Sequence, residues 1–171
     1  MQASTLAPVE ELTFLFTDIE GSTSLIDRLG GGYAGVLERE RELVAESVRA
    51  AGGRVVDSRG DEVFAVFPTP QAGVDSAIAS QRAIATEPWP IPVRVRMGLH
   101  TGRAAVAGDG YVGLSVHHAA RVAQAAHGGE IIASESTVGS RARSSGRGAN
   151  PSSSSRACSR RSTFVKNRRA R

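Results

Sequence analysis

Two aspartates stand where an apolar run meets a polar turn. Asp18 closes the run Leu12 to Thr17 (L-T-F-L-F-T), and Asp61 immediately precedes Glu62 to Phe67 (E-V-F-A-V-F). If both runs are strands lying side by side and antiparallel, the end of one meets the start of the other, and the carboxylates converge. Two carboxylates in one corner repel unless a cation lies between them, and Mg²⁺ favours few protein carboxylates together with phosphate oxygens. The segment Ile19-Glu20-Gly21-Ser22 follows Asp18 and opens a helical pattern, whose free N–H groups and positive end suit a polyphosphate. A lone aspartate at a strand end is ordinarily a solvated acid or a helix cap, and Gly60-Asp61 alone is an ordinary turn. The joint placement is what points to metal–phosphate chemistry.

The elements that must hold these residues can be read in order. Leu12 to Thr17 is aromatic and β-branched, as a buried strand is. Helices are expected over Ser22 to Leu29 and Tyr33 to Ala51, separated by three glycines. In the second, Val36, Leu37, Leu43, Val44, Val48 and Ala51 share one face, and Gly52-Gly53 stops it. Arg54 to Asp57 and Glu62 to Phe67 form a hairpin about Ser58-Arg59-Gly60-Asp61. Further elements follow: a helix over Pro70 to Thr86, strands over Val93 to Leu99 and Ala104 to Ala107, a helix over Leu114 to Ala126, and a strand over Glu130 to Ala133. The order β-α-β-β-α-β implies an α+β fold, a ferredoxin-like sandwich with an appended helix and strands.

Charge divides the chain. Through Val138, 17 acidic residues face 11 arginines, a net of −6. From Gly139 to Arg171 there are nine arginines, one lysine, nine serines and no acid. The expected organisation is an N-terminal extension over 1–8, one domain over 9–138, and a disordered Arg/Ser-rich tail over 139–171, too poor in apolar residues to offset its ordering entropy. Its composition is also one that GC-rich DNA yields when read out of frame. The acidic domain argues against a specific nucleic-acid partner, and the tail could bind nucleic acid only unspecifically. No run approaches the roughly 18 apolar residues of a membrane helix. Without an export signal at Met1 to Pro8, and with Cys158 the only cysteine, the cytoplasm is the expected compartment.

Four blocks carry a resemblance: F-T-D-I-E-G-S-T (Phe16 to Thr23), R-G-D-E-V-F-A-V-F (Arg59 to Phe67), R-M-G-L-H-T-G (Arg96 to Gly102) and Y-V-G-L-S-V-H-H-A-A-R-V (Tyr111 to Val122). In content, order and spacing they resemble the catalytic domain of class III adenylyl/guanylyl cyclases, in its actinobacterial type. The resemblance implies that Asp18 and Asp61 hold two divalent cations, Mg²⁺ or Mn²⁺. These would bind the triphosphate of ATP, or of GTP, beside Ile19, Glu20, Gly21 and Ser22. It implies attack of the ribose 3′-hydroxyl on the α-phosphate, giving a 3′,5′-cyclic nucleotide and pyrophosphate. It also implies a site completed across a homodimer, or a heterodimer with another cyclase domain, with Arg121 as the transition-state arginine.

The match departs from the family at several positions. His117 stands where an asparagine is usual, and Asp57 where adenylyl cyclases carry a base-reading lysine. The second base-reading position falls at Gly110, with Asp109 one residue away. No lysine precedes Lys166, and the family's late triphosphate lysine, on a C-terminal hairpin, is expected to be missing beyond Val138. Two function classes follow: a nucleotidyl cyclase in intracellular signalling, or a cyclase-like remnant that binds metal and nucleotide, or pairs with another cyclase, without turnover.

Overall fold

The computed structural model describes residues 8–145, with side chains to residue 140; the extension up to residue 7 and the Arg/Ser-rich stretch beyond residue 145 lie outside the described residues. The elements are β1 (Val9–Ile19), α1 (Ser22–Leu29), a 3₁₀ turn (Gly30–Gly32), α2 (Tyr33–Ala50), β2 (Arg54–Arg59), β3 (Glu62–Phe67), α3 (Pro70–Thr86), β4 (Val95–Ala107), β5 (Gly110–Val112), α4 (Leu114–Gln124), β6 (Ile131–Ala133) and α5 (Glu135–Ser145). One sheet runs β2-β3-β1-β4-β5, with β6 also paired to β4. The order β2-β3-β1-β4 is that of the expected βαββαβ sandwich.

β1 is central, antiparallel to β3 on one side and to β4 on the other. Thr13 to Thr17 are buried at every position, which is why L-T-F-L-F-T shows no polar alternation. Leu15 and Ile19 enter a core with Val44, Val48, Val63, Phe67, Met97 and Leu99, beneath α2 and α3. Phe14 and Phe16 point the other way, into a second core with Phe64, Val66, Ala119 and Ala123, beneath α4. Phe16 and Phe64 stack with centroids 4.5 Å apart.

The structure departs from the sequence reading along β4 and after β6. The expected strands Val93 to Leu99 and Ala104 to Ala107 are joined in one strand that begins at Val95, since β1 supplies an unbroken ladder from Val95 to Ala105. Residues 110–112 pair back onto β4 as β5, and β6 lies parallel to β4 at Met97 to Leu99. Helix α5, which the sequence pattern did not suggest, starts after Ser134, whose carbonyl accepts from the backbone N–H groups of Thr137 and Val138. Thr137 is buried, its hydroxyl accepting a hydrogen bond from Thr101. Among the described residues no helix is long and apolar enough to cross a membrane.

Two features of the packing have measurable consequences. The first is the seating of α4. A Cβ on Gly98 would lie 2.1 Å from the backbone nitrogen of Ala123, so only glycine lets α4 rest on β4 at this height. Gly98→Ala should therefore lift α4 and lower unfolding stability by about 1–3 kcal/mol. Urea denaturation measures this, and an unchanged midpoint would show that α4 moves freely.

The second is Glu40, on the inner face of α2 between Val36 and Val44. It is fully buried, and neither carboxylate oxygen has a hydrogen-bond partner among the described residues. Burial pushes its pKa up to about 8, against the opposing charge of Arg41 and with reinforcement from Asp61 and Asp18. An uncompensated buried carboxylate is costly, so the folded protein keeps Glu40 protonated at neutral pH. The folded state thus holds a proton that the unfolded chain has released, and stability falls as pH rises from the ordinary glutamate value to about 8. Glu40→Gln should flatten that fall, worth on the order of a few kcal/mol. Urea unfolding across this range tests it, a variant with the wild-type slope being the contrary result.

Candidate functional site

The β1–β3 ladder places Asp18 opposite Glu62, and the β1–β4 ladder places it opposite Arg96. Asp61 precedes Glu62 in the two-residue tip of the β2–β3 hairpin, where Arg59 pairs with Glu62. Asp18 and Asp61 therefore meet at one corner, close enough for the charge of one to bear on the other. Burial is the largest influence raising the Asp18 pKa; Arg96 opposes it, and the Asp61 charge adds to it. Glu62 is raised by its own burial and then by Asp18 and Asp61. The charges of Asp18 and Asp61 are thus felt along this end of the sheet, as far as Glu62.

Arg96 answers part of this charge. Its Nε donates to Asp18 Oδ2 at 2.5 Å, and its Nη2 forms an ion pair with the same oxygen. Arg96 opens the third sequence block without an assigned role; its signal is the register that sets it opposite Asp18 across the β1–β4 pair. Among the described residues no three metal-binding side chains cluster. The donor set on offer is the Asp18–Asp61 pair, partly buried and mutually repelling, which suits a hard dication that completes its shell from phosphate and water.

The segment after Asp18 divides in its roles. Ile19 is buried in the core, so only its backbone can face a ligand. Glu20 accepts a hydrogen bond from the Gly128 N–H at 2.9 Å, and its own N–H donates to the Arg94 carbonyl. Glu20 thereby ties this loop to the segment before β6. Gly21 takes a left-handed conformation (φ 69°), and Ser22 begins α1 without a side-chain cap or an acidic residue in the first turn. The start of α1 thus keeps free N–H donors and an unneutralised positive dipole end.

Asp57 lines an open concavity of about 340 Å³ with Phe16, Glu62, Phe64, Tyr111 and Val116. Its carboxylate accepts from its neighbour's N–H, at Ser58, and pairs with Arg59 at 2.8 Å; Arg59 is 87% exposed. Such an exposed pair is worth about 0–1 kcal/mol, so Asp57 can exchange it for a ligand at little cost. Asp109 is exposed and does not line the concavity; its carbonyl accepts from Arg54, while Gly110 is part of the wall. His117 and Arg121, one turn apart on α4, are both exposed. No hydrogen bond or ion pair joins either to Asp18 or Asp61 among the described residues. The structure brings together Asp18, Asp61 and the start of α1, sets Asp57 in an adjoining hollow, and leaves Asp109, His117 and Arg121 facing outward.

Known proteins share this architecture. No family model matches the chain. An adenylate cyclase of Mycosarcoma maydis is 28% identical over 158 residues, covering 77% of this chain and 6% of that protein. An uncharacterised protein of Mycobacterium tuberculosis is 30% identical over 139 residues, covering 80% of this chain and 47% of its own length. The chain thus spans less than half of either relative. The crystal structure of the monomeric guanylyl cyclase domain of the RhoGC fusion protein of Blastocladiella emersonii superposes with a TM-score of 0.75 at 21% identity, over 81% of this chain and 90% of that one. At that identity the superposition speaks for the fold.

Proposed function

Because the chain carries a class III adenylyl/guanylyl cyclase-type catalytic domain, we propose that it binds a nucleoside triphosphate with divalent metal and converts it to a 3′,5′-cyclic nucleotide in the cytoplasm. The observation that carries this reading is the convergence of Asp18 and Asp61 beside the uncapped start of α1. Asp18 and Asp61 would hold the two divalent cations, Mg²⁺ or Mn²⁺, which when bound neutralise the triphosphate and acidify the ribose 3′-hydroxyl. The backbone N–H groups from Gly21 and Ser22 onward receive phosphate oxygens. Arg96, already on Asp18, supplies a second positive charge at the corner. The 3′-oxygen attacks the α-phosphorus, the α–β phosphoanhydride bond breaks, and pyrophosphate leaves.

The rest of the site is assigned by the resemblance and supported by exposure. Arg121 and His117 face solvent on α4, free to serve a second cyclase domain, so the complete site belongs to a homodimer or a heterodimer. The guanidinium of Arg121 suits spread phosphoryl charge, and His117 retains a hydrogen-bond donor. One observation favours binding without turnover: no lysine precedes Lys166, so arginines alone supply the lasting cationic charge of the domain. Cyclic nucleotide formation, assayed with Mn²⁺ and separately with Mg²⁺, separates the two.

The metal assignment is tested by calorimetry. Asp18→Ala should weaken Mn²⁺-dependent nucleotide binding by about tenfold or more. Equal binding by wild type and variant would remove Asp18 from the site. Base choice is tested at Asp57, which can accept from the N1–H and amino groups of guanine but repels the N1 lone pair of adenine. Asp57→Lys should move the preference from GTP toward ATP by about tenfold. Unchanged selectivity would show that Asp57 does not read the base.

A further inference from the structure

The hairpin tip that bears Asp61 is held from outside the hairpin. Arg41, on α2, donates from Nη2 to the carbonyl oxygen of Gly60. Its Nε is buried without a partner among the described residues, so the guanidinium is partly enclosed. Its charge is felt by Tyr33 and Glu40, two α2 residues that also feel Asp61 and Asp18. The first half of α2 therefore lies under the acidic corner, and Arg41 is the cation it delivers to it.

The tip needs such a restraint. Asp57, Asp61 and Glu62 lie within six residues, and Asp18 faces Glu62 across the β1–β3 ladder. Repulsion favours swinging the tip away from β1, and a two-residue turn containing Gly60 at φ 54° is a place where such a swing costs little backbone strain. Arg59 cannot oppose it, being 87% exposed and paired locally with Asp57. Arg41 can, because α2 is locked in rotation by the buried Val36, Glu40, Leu43 and Val44.

We propose that Arg41 is a positioning residue: by gripping the Gly60 carbonyl it holds Asp61 against Asp18 in the geometry that binds the divalent cation. The inference rests on the reading that the Asp18–Asp61 pair holds the cation. It adds a residue from α2, outside the four sequence blocks, that sets the geometry without touching metal or nucleotide.

The test uses the full chain with Arg41→Met, Arg41→Lys and, as a control on the same helix, Arg49→Met. Without metal, Arg41→Met should speed amide hydrogen exchange at residues 60–62 by about tenfold, a local opening that the control lacks. With Mn²⁺ and GTP, or ATP, calorimetry should show affinity about tenfold weaker for Arg41→Met, largely recovered in Arg41→Lys, at melting temperatures equal to the control. Unchanged exchange at the tip overturns the proposal. So does an affinity loss equal in Arg41→Met and Arg49→Met, or one that merely follows lowered thermal stability. Wild-type protein that binds no Mn²⁺–nucleotide overturns the cation reading itself, while the exchange measurement still decides whether Arg41 grips the tip.

Discussion

The repulsion between Asp18 and Asp61 is the constraint on which the rest of this molecule turns. Antiparallel pairing of β1 with β3 delivers the two carboxylates to one corner, where burial and mutual charge both favour protonation of Asp18. A fold does not hold like charges together without some opposing force. Here the opposition comes from Arg96 across the β1–β4 ladder, and from Arg41 through the turn that carries Asp61. The corner is left short of positive charge, a deficit that the proposed divalent cation would answer.

The remaining architecture serves to keep that corner open yet rigid. α2 and α3 cover one face of the sheet with a large apolar core, while α4 covers only part of the other. The part α4 leaves bare is the hollow floored by Phe16 and Phe64, with Asp57 at its edge. Gly98 sets how closely α4 can approach, and so where His117 and Arg121 are displayed. The two outward-facing residues and the hollow lie on the same side of the sheet as α4.

Glu40 shows how charge is managed away from the ligand. A further carboxylate under the corner would add to the repulsion if ionised, and burial without a partner keeps it neutral instead. α2 therefore presents one suppressed acid and one active cation in consecutive residues, and the net effect on the corner is positive.

The sequence alone carried what is local and periodic. The strand–helix order, the ferredoxin-like arrangement, the pairing of Asp18 with Asp61 and the helix start at Ser22 were legible because hydrophobic runs and glycine stops mark strands and helices directly. Family-like blocks marked the same residues. What it could not carry were facts that depend on register across distant segments. Arg96 has no visible role in the sequence until β4 lies beside β1 and brings it to Asp18. Glu40 reads as one more charge on a polar helix until the rotation of α2 turns it inward. The joining of two apparent strands into β4 needed the continuous edge of β1, and Glu20 became a tie only once the Gly128 loop came to meet it. Burial and cross-strand register belong to the assembled chain, and so the charges that tune the acidic pair were settled by tertiary structure alone.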